Sequence, residues 1–283
     1  MNQNEIIYQV PKQPRQLRLD TIARCNAHCS SCHRFLTSRE GEMDDNLLLE
    51  ILNDVSRWST PLTEIIPVNY GEFFLKKDWA YILEMIYRKL PRTQIVLPTN
   101  GSLLTSQRVE MLCSIPSLKI INFSVNAFFN DTYEQFMKLP AKTMLEIRHH
   151  IEQIRALRAD ITIWVSMVHD PMYQTDYERD MFKSYWSNYA VPQIINAASA
   201  RRPEKKSCNP VLIPCRSIFS DIVVGFDRKI SSCCFDASFS IPLGMYEGDL
   251  LRNWWSKEMV EFRELHNTHK RTEIDICKNC TFA

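Results

Sequence analysis

The chain has 283 residues, 45% of them hydrophobic and 24% charged, with a net charge of +1. That makeup fits a globular protein with a sizeable core, as one large domain or a large and a small one. It offers no electrostatic reason for nucleic acid or an anionic membrane as partner, and no apolar run is long enough to span a bilayer. The N-terminus, Met1-Asn2-Gln3-Asn4-Glu5, lacks the build of a signal peptide, so a cytoplasmic location is expected. In a reducing compartment the ten cysteines are not a disulfide framework.

The first predicted strand is Gln16–Ile22. Directly after it comes Cys25-Asn26-Ala27-His28-Cys29-Ser30-Ser31-Cys32, a C-x3-C-x2-C run. Three thiolates this close can hold three corners of a four-iron cluster and leave the fourth iron open for a small molecule. A zinc site usually shows two C-x2-C pairs, and three close cysteines cannot all pair as disulfides. The position at the end of a first strand favours the cluster.

Short β-branched or apolar runs predict further strands at Glu64–Asn69, Gln94–Thr99, Lys119–Asn126, Ile161–Val168 and Gln193–Asn196. Between them, helical patterns cover Asp45–Trp58, Trp79–Leu90, Ser106–Cys113, Thr143–Leu157 and Tyr177–Tyr189. Asp44 and Asp45 are N-cap candidates for the first helix. Met144, Ile147, Ile151 and Ile154 give the fourth a buried face. Six strands alternating with amphipathic helices predict a parallel sheet covered by helices. Six units are too few for an eight-fold barrel, so the predicted fold class is α/β, a partial (β/α)6 TIM-like barrel. Ligands of such sheets gather at the C-terminal strand ends, where the cysteine run lies.

The polar segment Ala200-Arg201-Arg202-Pro203-Glu204-Lys205-Lys206 ends this rhythm. The expected division is 1–204 for the barrel and 205–283 for a small C-terminal metal-binding domain. That domain would hold a β-hairpin (Asp221–Val224 and Lys229–Ser232), a helix (Asn253–His266) and a closing Cys277-Lys278-Asn279-Cys280. So short a tail buries little core, and a metal centre is expected to staple it. Six cysteines fall here: Cys208, Cys215, Cys233, Cys234, Cys277 and Cys280. Taken alone, the tail also suits a zinc ribbon. Cys113, on a helix, reads as a core residue.

The C-x3-C-x2-C run after strand one resembles the signature of the radical S-adenosylmethionine (radical SAM) enzymes. In matching order, Asn69-Tyr70-Gly71-Glu72-Phe73 resembles their Gly-Gly-Glu motif and Thr99-Asn100-Gly101-Ser102-Leu103-Leu104 their Thr-Asn-Gly turn. Ser124-Val125-Asn126 matches the place where polar side chains meet the ribose. Two places depart from the pattern. Ser31 stands where an aromatic residue often precedes the third cysteine, and Tyr70 and Phe73 replace a glycine and a proline around Gly71-Glu72. In the tail, Pro214-Cys215-Arg216, the stretch 227–236 with Cys233 and Cys234, Leu243-Gly244, Trp254-Trp255, Phe262-Arg263 and the closing C-x2-C resemble the SPASM/twitch extension. The cysteine number suits the shorter twitch form. Size and cysteine layout are most similar to 2-deoxy-scyllo-inosamine dehydrogenase and related aminoglycoside-modifying twitch enzymes.

This resemblance implies a [4Fe-4S] cluster on Cys25, Cys29 and Cys32 whose open iron binds S-adenosylmethionine, yielding a 5′-deoxyadenosyl radical. It implies cofactor contacts from Gly71, Glu72, Asn100, Ser124 and Asn126. Glu72 would accept a hydrogen bond from the ligand ammonium. Ser124 and Asn126, alternating along strand four, would face the ribose from one side. The plainer readings are a solvated loop carboxylate for Glu72, a simple turn for Asn100-Gly101, and surface polarity for the strand pair. One auxiliary [4Fe-4S] cluster is implied on Cys215, Cys277, Cys280 and one of Cys233 and Cys234, with Cys233 favoured. A left-over thiol, Cys234 or Cys208, would return a hydrogen atom to a substrate radical and so make an epimerase. The implied function is an oxidoreductase or epimerase of a small hydroxylated molecule, a sugar or aminocyclitol, served by an external electron donor such as flavodoxin or ferredoxin. The alternatives are a ribosomal-peptide maturase and a non-enzymatic cysteine-rich metal-binding protein. Only about 15 residues precede strand one, too few for a leader-binding domain.

Overall fold

The computed structural model describes residues 6–196, 213–241, 243–278 and 280. The chain opens with β1 (Gln16–Leu19) and continues through α1 (Asp45–Ser56), β2 (Glu64–Ile66), α2 (Trp79–Lys89) and β3 (Gln94–Thr99). Next come α3 (Ser106–Cys113), β4 (Leu118–Ser124), α4 (Asn130–Met137), α5 (Lys142–Leu157), β5 (Thr162–His169), α6 (Asp176–Trp186) and β6 (Val191–Asn196). The tail adds α7 (Ser217–Ser220), β7 (Asp221–Val224), β8 (Ile230–Ser231), α8 (Leu250–Trp254) and α9 (Lys257–Asn267). The strands form one sheet in the order β6-β5-β4-β3-β2-β1-β7-β8. Every pairing is parallel except β7 with β8. The six-unit α/β partial barrel expected from the sequence is present.

Inward alternation builds the sheet core. Leu17 and Leu19 of β1 are fully buried, and Leu17 lies in register with Ile65 on one side and Ile222 on the other. Each such leucine contributes about 1.5–3 kcal/mol by leaving water. The hairpin of the tail therefore extends the barrel sheet: β7 occupies the free edge of β1. The expected division between 204 and 205 falls within 197–212, outside the described residues.

Three differences from the sequence expectation have physical reasons. β2 stops at Ile66, because Pro67 has no N–H to continue the ladder. β4 stops at Ser124, and two residues later Asn126 adopts φ 62, a left-handed turn that few side chains other than Asn and Asp accept. The predicted helix Asn253–His266 is two helices. Ser256 interrupts it and caps α9, its hydroxyl accepting the Met259 N–H at 3.2 Å. As predicted, Asp44 caps α1, accepting the Asn46 N–H at 2.9 Å. Among the described residues, no helix is long and apolar enough to cross a membrane.

Candidate active site

The cysteine loop leaves the C-terminal end of β1 and is held from two sides. The end of α4 supplies carbonyls: Met137 O accepts the His28 N–H at 3.1 Å and Phe136 O accepts the Ser30 N–H at 2.9 Å. On the other side, Asn26 Nδ2 donates to Ser102 Oγ at 2.8 Å, and Asn100 Nδ2 donates to Asn26 Oδ1 at 2.9 Å. Asn100 also lies 3.8 Å from Cys25 Sγ. Cys25, Cys29 and Cys32 line one cavity together. Burial pushes the Cys25 thiol up to about 11 and raises Cys29 and Cys32 as well. Cys25 and Cys32 raise Cys29 further by charge repulsion. Three thiolates so placed need bound cations to persist at neutral pH.

Gly71 and Glu72 follow β2 and cross over the start of this loop. A Cβ on Gly71 would lie 2.0 Å from the Ile22 carbonyl oxygen, so only glycine lets the two backbones meet. The Glu72 N–H donates to Arg24 O at 2.8 Å. Its carboxylate is buried, with Oε1 accepting from Thr99 Oγ1 at 2.8 Å and Phe74 N at 3.2 Å. Oε2 accepts the Asn100 N–H at 2.8 Å. Burial raises the Glu72 pKa, against the pull of these three donors. Glu72 is thus a rigid buried carboxylate on the cavity wall, not a solvated loop group.

Two adjoining cavities of about 150 and 260 Å³ open above the cysteines. Gly71, Glu72, Asn100 and Ser124 line the smaller; Ser124 and Asn126 line the larger. Asn126 reaches that wall from its left-handed turn rather than by strand alternation. Its Oδ1 accepts the Val168 N–H at 2.7 Å, and its Nδ2 points to Met137 Sδ at 3.0 Å. Tyr70 and His33 also line the larger cavity, their rings stacked with centroids 5.9 Å apart.

In the tail, Cys215, Cys233, Cys234, Cys277 and Cys280 all line a third cavity. Phe235 lines both this cavity and the larger one above Cys29 and Cys32. Buried Arg271 lowers the Cys215 pKa, but burial outweighs it and the net shift is upward. His266, fully buried on α9, is pushed down to about 3, chiefly by burial and then by Arg271. Cys234 therefore borders the tail cavity and not the one over the barrel cysteines. Cys208 lies outside the described residues. Cys113 is buried on α3, as expected of a core residue.

Sequence reasoning passed over Asn26, Ser102, Met137, Phe235 and His266. Ser102 sits inside the Thr99-Asn100-Gly101-Ser102 turn and was legible there. Met137 and His266 are single residues on helices with no motif to mark them.

Comparison with known proteins agrees with this geometry. A curated dehydrogenase from Niallia circulans, S-adenosyl-L-methionine-dependent 2-deoxy-scyllo-inosamine dehydrogenase, is 22% identical over 93% of this chain and 91% of its own. Among solved structures, BtrN in complex with AdoMet and 2-DOIA superposes with a TM-score of 0.69 at 18% identity, covering 97% of this chain and 94% of that one. Streptococcus suis SuiB bound to S-adenosylmethionine gives 0.61 at 15% identity, covering 90% and 69%. The family model described as the radical SAM superfamily matches residues 19–171, more than half of the chain. The match runs from the end of β1 through the cysteine loop and strands β2 to β5, so this chain belongs to the radical SAM superfamily and is an enzyme of that kind.

Proposed function

We propose that the enzyme oxidises or epimerises a small hydroxylated substrate of the sugar or aminocyclitol class, with an auxiliary [4Fe-4S] cluster taking part in electron transfer. Cys25, Cys29 and Cys32 would hold the first cluster. Cys215, Cys233, Cys277 and Cys280 would hold the second. When bound, the first cluster and S-adenosylmethionine supply a 5′-deoxyadenosyl radical. The observation that carries the reading is the position of Phe235, which walls both the cavity over the barrel cysteines and the cavity ringed by the tail cysteines. An electron leaving a substrate in the first would reach the second past this shared residue. The dehydrogenase name of the 22% relative supports the same reaction class.

Each donor set is made of thiols that stand around a cavity, and soft thiolate ligands of this kind suit an iron–sulfur cluster. Glu72, held by three donors, keeps a free lone pair on Oε2 for a ligand ammonium. Ser124 and Asn126 offer polar atoms to a ribose, and the aromatic rings of Tyr70 and Phe235 keep water from the reacting carbon. An external donor of the flavodoxin or ferredoxin type would deliver the starting electron.

The test is anaerobic reconstitution followed by assay. About eight irons per chain, and ketone formed with transfer of the substrate carbinol deuterium to 5′-deoxyadenosine, support dehydrogenation. Solvent deuterium in an otherwise unchanged substrate supports epimerisation, with Cys234 and Cys208 as donors to test by replacement with alanine. About four irons and no turnover of any sugar or aminocyclitol would sink the reading. A second reading, a ribosomal-peptide maturase, draws on the apolar part of the larger cavity, Tyr70, Val168, Ile195 and Phe235, which suits a peptide side chain. Crosslinked or epimerised peptide in the same assay would select it.

A further inference from the structure

We propose that His266 donates a hydrogen bond to Cys277 and thereby raises the reduction potential of the tail cluster. The inference rests on the auxiliary-cluster reading above. His266 is fully buried on α9, and both of its ring nitrogens face the cysteine cavity's own frame. Nδ1 accepts the backbone N–H of Cys215 at 3.1 Å. A nitrogen that accepts carries no hydrogen, so in the neutral ring the hydrogen is on Nε2. Nε2 lies 3.6 Å from Cys277 Sγ, within reach of an N–H···S contact.

The backbone therefore sets the tautomer, and the tautomer decides what the sulfur receives. The ring also packs against Phe262, with centroids 5.2 Å apart. One imidazole thus ties the amide of Cys215 to the sulfur of Cys277. A hydrogen bond to a ligand sulfur favours the more negative, reduced cluster. His266 would make the tail centre a better electron acceptor, which suits a site that takes an electron from substrate. His266 is a positioning and tuning residue, since it touches no reacting atom.

The experiment uses the full chain carrying Cys25→Ala, Cys29→Ala and Cys32→Ala, which leaves the tail cluster alone to be titrated by electron paramagnetic resonance. His266→Leu should shift the reduction equilibrium about tenfold towards the oxidised cluster, about 59 mV lower for a one-electron couple. His266→Gln, whose amide nitrogen reaches the same place as Nε2, should recover most of that shift. In deuterium oxide the parent should show an exchangeable deuteron coupled to the cluster, absent from His266→Leu. If His266→Leu does not load, the deuteron in the parent and the potential of His266→Gln decide. An unchanged potential in His266→Leu overturns the inference, as does a strongly coupled histidine nitrogen, which would make the ring an iron ligand. No cluster in the parent would instead overturn the auxiliary-cluster reading, and this inference with it.

Discussion

The carbonyl oxygen of Phe235 lies 3.2 Å from Nδ1 of His33, so the residue after Cys32 touches the residue after Cys234. A carbonyl only accepts, which puts the hydrogen on Nδ1 and lets the Tyr70 oxygen, also 3.2 Å away, accept from it too. The contact ties the cysteine loop of the barrel to the turn that carries the tail thiols. It also holds in place a residue that lines both cavities.

Replacing His33 by phenylalanine keeps the stack on Tyr70 and removes the hydrogen bond. The expected loss of stability is about 1 kcal/mol, that of one hydrogen bond. The larger effect falls on coupling: under the proposed function a less fixed Phe235 would hold substrate less firmly, so more 5′-deoxyadenosine should form per product. Measuring both products in one reaction checks this, and an unchanged ratio would count against it.

Gly71→Ala forces a methyl group to within 2.0 Å of the Ile22 carbonyl oxygen and 2.9 Å of that of Arg24. Both obstacles are backbone, so neither side yields without moving the cysteine loop. A loss of roughly 4 kcal/mol or more is expected, together with a fall in iron bound at the barrel site. Thermal unfolding and iron analysis of the variant test the two effects separately.

The strand-and-helix rhythm was legible because β3 and β4 are apolar runs and α5 repeats its apolar residues at helical spacing. The cysteine triplet was legible because its spacing is local. α4 was not. It has eight residues, and its N-cap, Phe129, makes no side-chain cap. Yet it buries Tyr133, Phe136 and Met137 and hangs the cysteine loop from its last carbonyls. Nor could local pattern show that β7 would take the edge of β1, since any free edge offers the same backbone groups. The contacts of His33 with Phe235 and of His266 with Cys215 join residues far apart in the chain, and no local signal encodes them.

Asp20, buried just beyond β1, is pushed up to about 6, mainly by burial and against the pull of Arg39. Arg39 lies 3.8 Å from it and also grips Asp227 at 2.6 Å in the β7–β8 turn. A carboxyl whose folded pKa is raised favours the fold while protonated. Its contribution is present below about 4 and is lost as pH rises through about 6. The size is on the order of 3 kcal/mol for a shift of this extent. Asp20→Asn should therefore gain stability over the parent at pH 7, and the difference should vanish near pH 4. Urea unfolding of both proteins across that range tests it, and a constant difference would refute it.

In the proposed auxiliary cluster Cys233 and Cys234 are the alternative fourth ligands, and the backbone around them favours Cys233. The Cys233 N–H donates to Ser231 Oγ at 3.2 Å, and its carbonyl accepts the Asp236 N–H at 3.0 Å. Asp236 is itself buried and fixed, its carboxylate accepting from Ser240 N at 2.9 Å and Ile241 N at 3.1 Å. Cys233 thus sits on a turn clamped at both ends, two residues past the end of β8, where a ligand thiolate would have little entropy left to lose. In the reconstituted enzyme, Cys233→Ala should lower the iron count from about eight to about four per chain. Cys234→Ala should leave it near eight. The reverse pattern would move the fourth ligand to Cys234 and free Cys233 as the spare thiol of the tail cavity.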